Sequence, residues 1–234
     1  MIGNVIEPLV GAGDTFDPDS IFDPTTHIAT EENFMKFLDR GIYDSKYIGY
    51  KVQLSNSVEY NNGIWIIADV NHDSENTGQS NCYDLISEGC FHSTTFTNST
   101  NSSPYNSWRS STVRTWLNNT FYPGFSTEFK NHILNPKYNS QGTWYTDDKI
   151  ILPSKVEVNG GTVNADNEGV AYPIFTDNNS RKKYLTGTTN YVRWWTRSRI
   201  ASNSNGVWIV YTDGSMYNFG CSSSFYLALV LRIS

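Results

Sequence analysis

The stretch SSTVRTWLNNTFYPGFSTEFKNHIL, residues 110–134, carries two helical patterns in a chain that otherwise favours strands. In its first half three apolar residues recur at helical spacing: Val113, Trp116 and Leu117. In its second half Ser126 is a good helix cap, and Phe129 and Ile133 follow on one predicted helix face. We therefore predict two consecutive short helices near the middle of the chain.

Strand patterns lie on both sides of these helices. From residue 47, YIGYKVQLSNSVEYNNGIWIIADV holds two strand-like runs around an Asn-Asn-Gly turn, which predicts a hairpin. KIILPSKVEV, residues 149–158, is predicted as one strand that ends before a Gly-Gly pair. Further strand patterns follow in 191–196, 207–211 and 215–219, and the chain closes on LVLRIS. Two helices among many short strands indicate the α+β class.

The composition excludes several classes of function. The chain has 234 residues, a net charge of −6 and no cluster of Lys and Arg, so we expect no nucleic-acid partner. No apolar run is long enough to span a membrane, so we expect no membrane insertion. The start, MIGNVIEPLVGAGDTFD, lacks the basic and apolar regions of a secretory signal, which predicts synthesis in a cytoplasm.

The first 45 residues form an acidic, turn-rich zone with one helical pattern, TEENFMKFLDRGI, which Thr30 can cap. One interpretation is an N-terminal arm that docks onto a partner or onto copies of the chain, separate from a ligand-binding domain over 46–234. Four apolar residues would then face the partner: Ile21, Phe22, Phe34 and Phe37. The alternative interpretation is an ordinary first layer of the main domain, and the sequence leaves both open.

The segment SNSNGVWIVYTDGSMYNFGCSSSFY, Ser202–Tyr226, is rich in Ser, Asn and Tyr and lacks Lys, Glu and Gln. This is the chemistry of antibody paratopes, in which rigid aromatic rings are mixed with adaptable polar groups. Strand alternation predicts that Trp208, Val210 and Met216 anchor the segment from the core side. The predicted ligand-binding residues are Ile209, Tyr211, Asp213, Tyr217, Asn218, Phe219, Ser222, Ser223, Ser224, Phe225 and Tyr226. The alternative is a polar loop over a half-exposed hairpin.

Two groups of residues raise the question of metal binding. Asp69, Asn71, Asp73 and Glu75 alternate like the start of a calcium loop, but Ser replaces the Gly and the bidentate Glu that an EF-hand requires. An Asx-rich turn is therefore favoured over bound calcium. The zinc-binding residue types are His72, Cys82, Cys90 and His92. Their spacing matches no usual zinc site, so we predict no metal and no cofactor.

Catalytic motifs are missing from the sequence. It contains no nucleophile elbow, phosphate-binding loop or paired catalytic histidines, which predicts a protein that is not an enzyme. Cys221 lies inside the Ser- and Asn-rich segment and is not expected to act as a nucleophile. The three cysteines do not suggest a disulfide framework.

Four segments together resemble a known family. They occur in the order SSTVRTWLNNTFYPGF, KIILPSKVEV, WWTRSRIASNSNGVWIVYTDGSM and a terminal strand with Arg232. In this order they are similar to a C-type-lectin-like domain of the formylglycine-generating-enzyme type. Such domains occur in phage tail proteins and in the variable proteins of diversity-generating retroelements. The resemblance covers Tyr47 to Ser234 and implies a rigid fold that displays a diversified C-terminal segment. The calcium motifs of sugar-binding C-type lectins are absent from this sequence.

The resemblance and the composition together predict a phage tail-tip receptor-binding protein, located in the virion. Its expected partners are a bacterial surface receptor (protein or glycan), other tail proteins and further copies of the chain as a homo-oligomer. One alternative is a structural virion or tail protein that uses the same face for subunit packing. A bacterial surface adhesin is another alternative, which the lack of a signal peptide disfavours.

Overall fold

A computed structural model describes residues 16–97, 106–163 and 167–234 of the chain. Strands dominate these residues, and most are short. The strands are β1 Ile28–Thr30, β2 Lys51–Leu54, β3 Gly63–Val70, β4 Tyr83–Ser87, β5 Phe91–Thr95, β6 Tyr138–Ser140, β7 Thr143–Tyr145, β8 Ile150–Ile151, β9 Lys183–Tyr184, β10 Tyr191–Val192, β11 Trp194–Arg199, β12 Gly206–Val210, β13 Met216–Gly220, β14 Ser224–Leu227 and β15 Val230–Ile233.

Six α-helices accompany the strands in the described residues, which confirms the predicted α+β class. The helices are α1 Glu31–Asp39, α2 Ser74–Thr77, α3 Thr112–Trp116, α4 Thr127–His132, α5 Lys155–Asn159 and α6 Asn178–Arg181. None of these helices is both long and apolar enough to cross a membrane.

The two predicted central helices are confirmed. Ser111 caps α3 by accepting the backbone N–H of Arg114, and Ser126 caps α4 by accepting that of Phe129, both at 3.0 Å. Between them the chain continues through a π-helical turn, Leu117–Phe121. Each cap satisfies a backbone donor that the first helical turn would otherwise leave without a partner.

The N-terminal segment packs into the main core from residue 16 onward. Strand β1 pairs in parallel with β2, and Thr30 caps α1 as predicted. The ring of Phe22 stacks on that of Tyr47, with centroids 5.4 Å apart. All four residues that were expected to face a partner are buried: Ile21, Phe22, Phe34 and Phe37. That expectation is wrong, because the apolar face of α1 packs against other residues of this same chain. Residues 1–15 of the predicted arm lie outside the described residues.

A six-stranded sheet forms one layer, in the order β1-β2-β3-β4-β15-β8. The predicted pairing of two antiparallel strands is confirmed for β2 and β3, although the connection spans residues 55–62 and is longer than an Asn-Asn-Gly turn. Strand β15 lies between β4 and β8, where Arg232 Nε contacts Asp84 Oδ1 at 2.6 Å in the buried core. Burial alone would raise the pKa of Asp84, but the Arg232 charge outweighs it and holds that pKa below its usual range.

The region 149–158 differs from the prediction of a single strand. Only Ile150–Ile151 is extended, and α5 follows directly. The reason is a capping box, in which Ser154 accepts the N–H of Glu157 while the Glu157 carboxylate accepts the N–H of Ser154. This local hydrogen bonding at Ser-x-x-Glu prevails over the β-branched residues that suggested a strand.

The second large sheet carries the C-terminal segment. Its order is β13-β12-β11-β14-β5, so β13 forms one edge and β11 the centre. Strands β12 and β13 form an antiparallel hairpin, and β14 runs parallel to β11. Because β14 leads directly into β15, the chain passes from this sheet into the middle of the six-stranded sheet.

Candidate functional site

The β12–β13 hairpin turns at the predicted Asp213-Gly214 position. Gly214 has a φ of 84°, and a Cβ atom there would lie 1.7 Å from the backbone oxygen of Asn178. The Ser215 hydroxyl donates to the Asp213 carboxylate, as does the Ser215 backbone N–H at 2.9 Å, and these two bonds lower the pKa of that carboxyl. The turn therefore requires glycine and is held by its own side chains.

Strand β12 does not show the predicted alternation of burial, because Val207, Ile209 and Val210 are all buried. Ile209 is fully buried, whereas Trp208 is only half-buried. Ile209 lies between Trp195 on β11 and Tyr217 on β13 in the strand register. Large rings on both neighbouring strands cover this short aliphatic side chain, so the prediction that Ile209 contacts ligand from an exposed position is wrong. Val210 is buried, as predicted.

The other predicted residues differ in exposure. Five are exposed and four half-buried, while Phe225 is buried with 8% of its surface accessible. The exposed residues are Asp213, Tyr217, Asn218, Ser222 and Ser224, and the half-buried ones are Tyr211, Phe219, Ser223 and Tyr226. The predicted exposure of Phe225 is wrong, because its ring packs edge-on against Trp195 with centroids 4.9 Å apart.

The structure brings together four of the predicted aromatic residues around Arg193. The Arg193 guanidinium carbon lies 4.1 Å from the ring centroid of Tyr211, 5.5 Å from that of Phe219 and 5.8 Å from that of Phe225. Arg193 also donates a hydrogen bond to the Tyr211 hydroxyl. The rings of Tyr211 and Tyr217 contact each other with centroids 5.3 Å apart. We call Arg193, Tyr211, Tyr217 and Phe219 the aromatic surface, with Phe225 beneath it.

Two predicted residues lie elsewhere. Asn218 is opposite Trp208 in the strand register, on the other side of the hairpin from Tyr217 and Phe219. Tyr226 lines a separate cavity beside His92. The predicted eleven-residue patch is therefore not one surface, because neighbours along a strand point to opposite faces of the sheet.

Sequence reasoning missed Arg193. The residue lies before the Ser- and Asn-rich segment, next to Trp194 and Trp195 in the sequence. A basic residue next to strand-forming tryptophans is the available signal, since arginine stacks on aromatic rings. In the part of the chain that the structure describes, no carboxylate forms an ion pair with Arg193, whose half-buried guanidinium contacts the rings.

Beneath this region a buried ion pair fixes strand β11. Arg197 contacts the Glu157 carboxylate through two hydrogen bonds of 2.6 and 2.7 Å, and Ser198 donates to Glu168. Burial alone would lower the pKa of Arg197, but the charge of Glu157 outweighs it and the pKa is raised. Burial raises the pKa of Glu168 above its usual range, with Arg197 opposing. Bidentate geometry of this kind holds the strand in one position.

The loop between β11 and β12 is fixed from below by Asn106. Its side-chain nitrogen donates to the carbonyl oxygens of Asn203 at 2.7 Å and of Gly206 at 2.8 Å.

Cys221 is buried, and burial raises the pKa of its thiol, which leaves it a poor nucleophile at neutral pH.

The two histidines considered as metal ligands contact other side chains. His72 Nδ1 lies 2.8 Å from Asp69, and the His92 ring stacks on Trp116 with centroids 3.8 Å apart. Across residues 16–97, 106–163 and 167–234 no group of three or more His, Cys, Asp or Glu side chains is placed to hold a metal ion.

Residues 85–229 match the model of a protein family described as "Domain of unknown function (DUF6273)". The chain belongs to the DUF6273 family. The DUF6273 match contains the central helices and the whole aromatic surface, from within β4 to the end of β14. No curated protein matches the chain. No solved structure matches it either.

Proposed function

We propose that this DUF6273 protein is a phage tail-tip receptor-binding protein that contacts a bacterial surface receptor through its aromatic surface. The observation that carries the proposal is the grouping of Arg193 with Tyr211, Tyr217 and Phe219 on the edge hairpin. Aromatic residues and arginine are the residue types that most often dominate the energy of binding interfaces.

The surface is also organised before any partner binds. Tyr217 is 53% exposed, yet its ring rests on Tyr211, which the Arg193 guanidinium covers. The Asp213 turn and the loop held by Asn106 limit movement at both ends of the hairpin. A rigid surface loses little conformational entropy on binding, which favours affinity. Several copies on one particle would multiply weak single contacts.

The C-type-lectin-like fold and diversification belong to the same proposal. Their support is the order of the four segments, the two central helices before the hairpin strands, and the Ser, Asn and Tyr content of Ser202–Tyr226. The neighbouring DNA tests diversification. We expect a reverse transcriptase gene and a near-copy of the codons for Ile200–Tyr226 that differs mainly at adenines.

Alanine variants test the binding role. Tyr217→Ala and Phe219→Ala should each weaken binding of the purified full chain to host cells by about 1–3 kcal/mol, or about 5- to 150-fold in Kd. Tyr217 is more than half exposed, so the melting temperature of its variant should stay close to that of the parent protein. Flow cytometry with the labelled chain measures binding, and calorimetry measures melting.

The matched control is Trp144→Ala, which removes an exposed aromatic side chain from the separate β6–β7 hairpin. Its binding to cells should equal that of the parent protein. If Tyr217→Ala binds cells normally but fails to enter particles, the surface packs against a neighbouring subunit. The proposal that this face recognises the receptor would then be wrong.

A further inference from the structure

A groove of about 540 Å³ lies between the start of β3, the turn after β4 and strand β9. Its floor is apolar and includes Ile66 and Ile174, and Tyr184 forms part of its wall. This volume lies within the range of small-molecule sites, which combine an apolar lining with a few polar groups. The family description assigns no role to this groove, and the proposed receptor contact does not involve it.

Tyr184 presents a fixed aromatic face. It is 42% exposed, and its ring stacks on Tyr191 with centroids 4.4 Å apart and 23° between the planes. The two hydroxyl groups are 2.8 Å apart and hydrogen-bonded, and Lys182 Nζ lies 5.4 Å from the Tyr191 ring. The negative face of an aromatic ring attracts polarised C–H groups, which a pyranose ring offers along one face.

Polar groups at the rim can bind hydroxyl groups. Asn61 is exposed, and the described residues offer its side-chain amide no hydrogen-bond partner. Glu88 is held by Lys51 with an Nζ–Oε1 distance of 2.6 Å, and 40% of its side chain is accessible. An amide and a carboxylate each provide planar groups that can engage two adjacent hydroxyls of a sugar.

Lys183 is one of the lining residues of the groove, and its side chain is almost completely buried. Its buried ammonium donates to the carbonyl oxygens of Ser87 and Glu88, so two of its three N–H groups are used. These bonds hold the turn after β4, which carries Glu88. Burial lowers the pKa of Lys183 to about 8, so the group still carries most of its charge at pH 7.

From this arrangement we propose that the groove binds a neutral pyranose carbohydrate, stacked on Tyr184 and hydrogen-bonded by Asn61 and Glu88. A phosphate-bearing ligand fits less well, because the Glu88 carboxylate shares the rim with the lysines. Binding by this set of groups requires no metal ion. Sugar binding in this groove does not depend on the proposed receptor contact.

The test uses the full chain and a panel of soluble oligosaccharides built from glucose, galactose, rhamnose and N-acetylglucosamine. We expect at least one to bind in calorimetric titration, with the same affinity in the presence of EDTA. Tyr184→Ala should weaken that binding at least tenfold, whereas Tyr184→Phe, which keeps the ring, should retain most of it. Asn61→Ala should weaken binding without lowering the melting temperature, since the Asn61 side chain is exposed.

Tyr217→Ala is the matched control, because it removes an exposed tyrosine from the aromatic surface and should leave sugar binding unchanged. The proposal is overturned if no sugar of the panel binds, if Tyr184→Ala binds as tightly as the parent, or if AMP binds this groove in preference to the sugars. None of these results bears on the cell-binding test of Tyr217→Ala, so the two proposals can fail separately.

Discussion

Lys183 is a fully buried lysine that the described residues surround with carbonyl oxygens instead of a paired carboxylate. Its Nζ donates to Ser87 and Glu88 and thereby holds the turn that leaves β4. Burial lowers the pKa of this ammonium to about 8 from 10.5. At neutral pH the desolvation of the Lys183 ammonium therefore destabilises the folded protein. This destabilisation disappears when the lysine releases its proton.

The stability of the protein should depend on pH through this residue. Between about pH 8 and pH 10.5 the unfolded chain still binds the proton that the folded chain has lost. Stability contributed by Lys183 therefore rises with pH across that window. We expect the free energy of unfolding of the parent protein to gain about 3 kcal/mol relative to Lys183→Met between pH 7 and pH 10.5.

Urea unfolding of both proteins at several pH values measures the difference. The comparison with Lys183→Met removes the contribution of tyrosines, which titrate in the same range. An NMR titration of the lysine side-chain carbons provides a second measurement that does not require the variant. Parallel pH profiles, together with a Lys183 midpoint near 10.5, would contradict the predicted shift.

Helix α1 shows at the scale of an element how the N-terminal region is held. Phe34 and Phe37 are fully buried on its inner face, and their rings lie 5.8 Å apart. Phe37 also packs edge-on against Tyr47, which follows the helix in the chain. The helix is thus part of the core that the six-stranded sheet requires.

Truncation of a buried ring in α1 should destabilise the whole domain. Phe34→Ala should lower the free energy of unfolding by about 3–5 kcal/mol, because it removes buried apolar surface and leaves a cavity. The matched control is Lys36→Ala on the outer face, where the exposed pair with Glu32 contributes little because solvent screens the two charges. Chemical denaturation measures both, and a Phe34→Ala variant as stable as Lys36→Ala would show that α1 is not packed as described.

At the scale of the whole molecule the family match and the folded unit do not coincide. The match ends at residue 229, and β15 begins at the next residue. Strands β1 to β3 also lie outside the match, although they continue the same six-stranded sheet. Without β15, strands β4 and β8 would each lose their shared neighbour.

A fragment of residues 85–229 should therefore fail to fold alone. It lacks β1 to β3 and β15, and it exposes the unpaired edges and apolar faces that these strands cover. We expect no cooperative thermal transition and poor dispersion in the NMR spectrum of the fragment, against a single sharp transition for the full chain. A well-dispersed spectrum for the fragment would show that the matched region is an independent domain.

The sequence by itself determined those features that depend on neighbouring residues. It predicted the helices after Ser111 and Ser126, the cap at Thr30, the β2–β3 hairpin and the turn at Asp213-Gly214. Caps and turns are decided by side chains that bond to backbone within a few residues, so they can be inferred from local sequence. The α+β class follows from the sum of these local patterns.

Tertiary structure decided which face of each element is buried. Alternation along β12 predicted an exposed Ile209, but this residue is buried because Trp195 and Tyr217 flank it on the two neighbouring strands. The same holds for Phe22 and Phe34, whose cover comes from the β-sheet core and not from a partner.

The aromatic surface and the groove likewise depend on both local sequence and tertiary structure. The Ser- and Tyr-rich composition pointed to the C-terminal hairpin, yet Arg193, which organises its rings, lies outside that segment. The groove beside Tyr184 joins residues from β3, the turn after β4 and β9 that no sequence pattern connects. Local hydrogen bonds can be inferred from sequence because the atoms are close along the chain, whereas burial and site assembly depend on long-range pairing of strands, which only the folded chain fixes.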